Sequence, residues 1–266
     1  SKLPAPTARE IEAAIRAGQA HLLGLGLTAI HDMGASPAVL AALRALDAEG
    51  ELTLRVFAYI WGNDGDLAPL VARGPERGRR LEVVGVKLMV DGALGSRGAA
   101  LLEPYADADH AGALLLRPED FERRVRVARG AGLQIATHAI GDRANRLVLD
   151  TYARVFGDAL GAARPRVEHA QILHPRDLLR LARSGAIPSM QPTHATSDMG
   201  WAEARVGPDR IRGSYAWRSL RVAGATLAAG SDAPVERADP LDGVYAARTR
   251  QAPGGRPPGG WYPEER

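Results

Sequence analysis

Val83-Val84-Gly85-Val86-Lys87-Leu88-Met89-Val90-Asp91 is the stretch on which the fold reading turns. It is a near-continuous apolar run, the pattern of a strand buried on both faces, with charged side chains at and after its end. Six shorter runs share this character, at 27–31, 53–60, 133–138, 166–170, 186–191 and 225–229. Amphipathic helical patterns alternate with them, at 7–23, 37–48, 118–129, 142–156, 175–183, 208–222 and 242–250. Several carry start signals: Pro37, Pro118 and Pro175 each open a pattern as an N1 proline, and Ser36 is a ready N-cap. Gly24, Gly130, Gly185 and Gly224 close others. Strand and helix in alternation predict a parallel sheet with helices outside it.

Periodicity alone does not separate a closed barrel from an open doubly wound sheet. The polar residues do. Nearly every strand ends in a reactive side chain: His31 and Asp32, Asn63 and Asp64, Lys87 and Asp91, His138, Glu168 and His169, Gln191 and His194, Ser231 and Asp232. An open sheet gathers its ligand residues at one switch point, whereas a barrel takes them from all its strands at the C-terminal mouth. The expected fold is therefore an α/β, TIM (β/α)8-type barrel. It is incomplete, because about seven strands are legible, the chain opens on a helix, and a barrel needs eight. The barrel domain is expected over 1–252, followed by a Gly/Pro-rich loop or tail at 253–266.

Composition narrows the function classes. With 266 residues, 45% hydrophobic and 24% charged, the chain can bury a sizeable core and is not a disordered protein. It has no cysteine, which excludes disulfides and thiolate metal sites. Net charge is only +3, from 34 basic and 31 acidic residues that are interleaved throughout. Even the most basic stretch, 73–80, contains Glu76, so no nucleic-acid partner is expected. No apolar run reaches the roughly 18 residues of a membrane span, and residues 1–10 hold no signal core. Neither Asn63 nor Asn145 lies in a glycosylation sequon, and a cytoplasmic location is expected.

Lys87 carries the most chemical information. Lys2 and Lys87 are the chain's only lysines, and Lys87 lies inside the apolar run. A buried ammonium needs a partner or loses its proton, and arginine cannot take the second course. A neutral amine can act as a nucleophile, form a Schiff base, or take up carbon dioxide to become a metal-bridging carbamate. The plainer reading pairs Lys87 with Asp91 or Glu103. His138 and His169 end strands one βα unit apart, and neutral imidazole is the commonest metal ligand. Asp232 ends the last strand, where a carboxylate can ligate a metal and take a proton from water; the alternative is a turn cap before Pro234. Asp91 opens a glycine-rich loop at 91–98 that suits a lid over substrate, with Arg97 to hold an anionic group, or a plain tight loop. His194 is expected in an exposed loop, as a substrate contact or with no role, and His31 as a hydrogen-bonding residue at the mouth. His21, His110 and His174 are given no role.

These stretches together resemble the amidohydrolase superfamily, in its amidohydrolase-3, YtcJ-like branch, which includes N-substituted formamide deformylase. The resemblance rests on Leu27-Thr28-Ala29-Ile30-His31-Asp32-Met33-Gly34, on Val86-Lys87-Leu88-Met89-Val90-Asp91-Gly92-Ala93-Leu94-Gly95-Ser96-Arg97-Gly98, and on Thr137-His138-Ala139-Ile140-Gly141-Asp142-Arg143-Ala144. It continues through Val167-Glu168-His169-Ala170-Gln171, Ser189-Met190-Gln191-Pro192-Thr193-His194 and Gly230-Ser231-Asp232-Ala233-Pro234-Val235-Glu236, in the family's order. The resemblance implies metal-dependent hydrolysis of non-peptide C–N bonds in a small amide-type substrate. Lys87 matches the carbamylated lysine shared between metals, His138 and His169 match the ligands on the fifth and sixth strands, and Asp232 matches the ligand and proton shuttle on the eighth. Asp91, Arg97 and His194 fall to substrate binding. Zinc, as one or two ions, is the implied metal, although imidazole and carboxylate also admit iron, nickel or manganese.

One departure is marked. The family's first-strand His-x-His pair is absent from this sequence. The expectation is a barrel fragment that holds one metal and the other poorly, and whose open strand edges invite pairing with another copy. Two further readings stay open: a non-catalytic barrel remnant serving as a structural or interaction domain, and a Schiff-base lyase that uses Lys87 as a free amine.

Overall fold

The computed structural model describes residues 4–266; Ser1 and Lys2 lie outside the described residues. The chain falls into two compact units. The first runs up to Leu88 and includes Arg126–Ile135; the second is Met89–Val125 with Ala136–Arg266. Each of the seven apolar runs contains a strand, and the architecture is α/β with seven parallel strands among the described residues.

In the first unit the order is α1 (Ala8–Gly24), β1 (Ala29–Ala35), α2 (Pro37–Glu49), β2 (Arg55–Trp61), α3 (Ala68–Val71), β3 (Glu76–Arg77) and β4 (Leu81–Met89), whose last residue passes into the second. β1 pairs with β2 and β2 with β4, all parallel. β3 lies antiparallel on β4; two charged residues carry no strand periodicity, so it is not legible in the sequence. α1 starts with a reciprocal capping box, Thr7 accepting from the Glu10 amide and Glu10 accepting from the Thr7 amide. α2 has the expected Ser36 cap and N1 proline, and ends on Gly50 in the left-handed conformation. Its apolar stripe, Leu40, Leu43 and Leu46, is buried with Val56, Ala58, Tyr59 and Ile60 of β2 in this unit's core.

α4 (Pro118–Gly130) and β5 (Gln134–Ala139) contribute residues to both units. The second unit continues with α5 (Asp142–Phe156), α6 (Leu160–Ala163), β6 (Arg166–His169), α7 (Pro175–Ser184), β7 (Ile187–Met190), α8 (Pro192–Asp198), α9 (Ala202–Arg210), α10 (Trp217–Val222), β8 (Ala228–Ala229) and α11 (Pro240–Thr249). β5, β6, β7 and β8 pair in sequence order, all parallel. His174 caps α7 by accepting the Arg176 amide on Nδ1.

Two helix expectations need correction. The 208–222 pattern is not one helix. Gly207 at φ 80° stands just ahead of it, and a 3-10 turn over Ile211–Gly213 interrupts it. Ser214 instead extends to bridge Ile172, while the Leu173 amide donates to the Gly213 carbonyl at 2.9 Å. Conversely, His194, read as a loop residue, lies in helix α8 (Pro192–Asp198), opened by Pro192 at N1.

The 253–266 stretch is largely irregular but firmly attached. Arg250 is fully buried and donates through Nε to the Trp261 carbonyl at 2.6 Å and through a terminal nitrogen to the Tyr215 carbonyl at 3.0 Å. Its guanidinium lies 4.2 Å from the Trp217 ring centroid and 5.5 Å from that of Trp261. Burial pulls its pKa down to about 10, so it remains charged at neutral pH. Among the described residues, no helix is long and apolar enough to cross a membrane.

Gly85 shows why β4 needs a glycine at its centre. A Cβ there would lie 2.5 Å from both the Gln134 carbonyl oxygen and the Tyr59 ring. Gly85→Ala is expected to destabilise the fold by about 1–3 kcal/mol through overpacking, read as a lowered urea midpoint with an unchanged m-value.

Candidate metal centre

Four imidazole or carboxylate side chains of the second unit converge where β5, β6 and β8 end and α8 begins. His138 and His169 have ring centroids 4.6 Å apart in an edge-on arrangement, and His169 stacks on His194 at 5.8 Å. One ligand atom from each of His169, His194 and Asp232 lies within 4.8 Å of the others. His194 Nε2 is buried, has no hydrogen-bond partner among the described residues, and stands 3.9 Å from Asp232 Oδ2. That separation is too long for a hydrogen bond but suits two ligands of one ion. Two imidazoles and a carboxylate form a nitrogen/oxygen donor set compatible with zinc, iron, nickel or manganese.

The backbone is bent to make this meeting. His169 has φ 71° and Ala170 φ 43°, two successive non-glycine residues in the left-handed region. They break the side-chain alternation of β6 just after Glu168, which is ion-paired to Arg166 at 2.6 Å. Asp232 is left-handed too, at φ 57°. Such conformations cost on the order of 1–3 kcal/mol each and persist only where their surroundings enforce them. Here they coincide with two of the three clustered ligand candidates.

Asp91 is a foundation of this region. It is fully buried and accepts three backbone amides: Ala100 at 2.9 Å, Ile140 at 3.0 Å and Gly141 at 2.8 Å. Its Oδ1 also lies 3.5 Å from His138 Nε2. Burial pushes its carboxyl up to about 7, against the pull of the three amides. Arg97, expected to hold an anion, is engaged by Asp107 through Nε at 3.0 Å and a terminal nitrogen at 2.9 Å. Lys87 is buried on β4 of the first unit, where its carbonyl accepts the Gly62 amide at 2.9 Å. His31, also in the first unit, lies against the rings of Phe57 and Tyr59, its centroid 5.1 and 5.9 Å from theirs.

His194 departs from its expectation as an exposed loop residue: it sits in α8 with its side chain 12% exposed. The sequence signal was available in Gln191-Pro192, which opens the helix. Four neighbours were given no site role, although Gln191 was read as a polar strand end. Gln191 Oε1 lies 2.7 Å from His169 Nδ1, and Tyr215 donates to Asp198 at 2.7 Å while accepting from Gln171 at 2.7 Å. Burial raises the Asp198 carboxyl, and more strongly the Tyr215 hydroxyl. Nothing in the local sequence marks Tyr215, because its place is set by the long-range packing of Trp261 and Arg250.

A sequence profile described as "Amidohydrolase family" matches residues 1–266. The chain belongs to the amidohydrolase family. It is 36% identical over 176 residues to the protein YtcJ of Bacillus subtilis (strain 168), covering 66% of this chain and 33% of that one. It is 37% identical over 187 residues to Protein LONG AFTER FAR-RED 3 of Arabidopsis thaliana, covering 68% of this chain and 31% of the relative. Among solved structures, an uncharacterized metal-dependent hydrolase of Pyrococcus horikoshii superposes with a TM-score of 0.84 at 35% identity, over 92% of this chain and 49% of that one. This amidohydrolase chain thus spans about a third of the length of these curated relatives and about half of the matched structure. The expected fold class, an incomplete TIM-type barrel, agrees with that superposition.

Replacing Asp91 with asparagine would turn an amide –NH2 toward at least one buried backbone donor. Asp91→Asn is expected to lose about 1–3 kcal/mol, measured by urea unfolding at pH 8, where the carboxylate of the parent protein is charged.

Proposed function

We propose that this amidohydrolase chain carries the larger part of the site of a metal-dependent hydrolase acting on non-peptide C–N bonds, in a small amide or formamide substrate. The convergence of His169, His194 and Asp232 is the observation that carries the reading. It is supported by the likeness to a protein described as a metal-dependent hydrolase. His169, His194 and Asp232 would hold a divalent ion, most simply zinc, with His138 beside them. Lys87 is the candidate for a carbamylated ligand, since it is a buried amine on the strand where the family resemblance places one. When bound, the ion supplies a lowered water pKa and a polarised carbonyl.

The chain's own groups account for the remaining chemistry. Neutral imidazoles donate lone pairs without adding charge, so the site stays receptive to a cation. The Asp232 carboxylate, its side chain 35% exposed, is reachable from solvent. It accepts a proton from the attacking water and returns it to the leaving nitrogen, as general base and then general acid. Asp91, Arg97 and Asp107 fix the loop that follows β4. In this reading Asp91 and Arg97 shape the substrate's surroundings, and His194 serves as a ligand rather than a substrate contact.

Metal analysis tests the proposal. Protein purified without chelator is expected to carry about one equivalent of divalent metal, and His169→Ala and His194→Ala each to lower occupancy at least about tenfold. Asp232→Asn is expected to retain the fold while slowing hydrolysis of a simple formamide by about 100-fold or more. Unchanged metal content in both histidine variants would overturn the reading.

A further inference from the structure

We infer that Gln191 is a positioning residue that fixes the tautomer of His169 and thereby decides which ring nitrogen is presented to a metal ion. The inference rests on the metal-centre reading above for its consequence, but not for its geometry. Gln191 is buried, with its Oε1 2.7 Å from His169 Nδ1 and its Nε2 donating to the Ser189 carbonyl at 3.2 Å. That second bond settles the orientation of the amide. Turning it over would set Oε1 against the Ser189 carbonyl oxygen, two acceptors face to face. Held this way, Oε1 can only accept. The neutral His169 ring must therefore carry its proton on Nδ1, and Nε2 keeps the lone pair that coordination requires.

The support continues beneath the glutamine. Ser189 accepts on Oγ from a terminal nitrogen of Arg166 at 2.8 Å. Arg166 is in turn paired with Glu168 through Nε at 2.6 Å and a terminal nitrogen at 3.2 Å. Glu168 and Ser189 are register partners on the parallel pair β6 and β7. The segment from Arg166 to His169 is thus bonded to the segment from Ser189 to Gln191 by a line of polar contacts at consecutive levels of the two strands. The ion pair lies at one end and the His169 ring at the other. Glu168, Ser189 and Gln191 are all buried, and the bond from His169 to Gln191 is shielded from water.

The test combines nitrogen NMR of the histidine ring with metal titration. In metal-free protein, long-range proton–nitrogen spectra, with the His169 signals assigned by their loss in His169→Ala, are expected to report the Nδ1–H form. Gln191→Leu is expected to shift His169 toward the Nε2–H form and to weaken zinc binding, measured against a chromophoric chelator, by about 10- to 100-fold. Gln191→Glu retains the acceptor and is expected to keep the Nδ1–H form. Gln191→Met, close to glutamine in volume, replaces the leucine variant if that one does not fold. An unchanged His169 tautomer in the folded leucine or methionine variant overturns the inference. If the parent protein binds no zinc, the metal-centre reading fails, while the ring spectra still judge Gln191.

Discussion

One buried carboxylate holds the second unit's functional end together. Asp91 closes the β4 run and accepts amides from Ala100 on one side and from Ile140 and Gly141 on the other. The knot tightens from there. Ala100 returns its carbonyl to the amides of Arg143 and Ala144, and Asp142 accepts from Leu102 at 2.8 Å. Gly141 lies so close to the Ala100 backbone that no Cβ fits. The glycine-rich loop, the end of β5 and the start of α5 are therefore tied into one polar unit by these bonds. His138 sits on its rim, which places the carboxylate's influence next to the histidine cluster.

Most of the strand framework was legible because burial on both faces leaves an unambiguous mark, as in 83–90, and because N1 prolines and a serine cap announce helix starts. What escaped was of two kinds. Short elements such as Glu76–Arg77 carry no period, and the break at 211–214 depends on a contact with Ile172 and Leu173, some forty residues away along the chain. Local reading sees neither.

The candidate site was legible in outline. Strand-end position alone singled out His138, His169 and Asp232, and the structure brings His138 beside His169 and groups His169 with Asp232. His194 was noticed but placed in a loop, since a proline-initiated helix of seven residues is too short to show periodicity. Gln191, Asp198 and Tyr215 could not be ranked, because an uncharged or solitary polar residue acquires meaning only from its neighbours. The left-handed turn at His169 and Ala170 is likewise invisible, since neither residue type favours it and only the assembled strand end enforces it.

The attachment of the last residues has a consequence for how this region comes apart. Arg250 is sandwiched against two indoles and holds carbonyls of both Tyr215 and Trp261, while Glu265 accepts the Ser219 amide at 2.9 Å. Detaching the terminal segment would strip a desolvated cation of its companions and loosen the wall that carries Tyr215 and Trp217. Loosening of residues 253–266 is thus coupled to the packing of Tyr215 and Trp217. Amide exchange in residues 253–266 should accordingly follow the opening of the second unit.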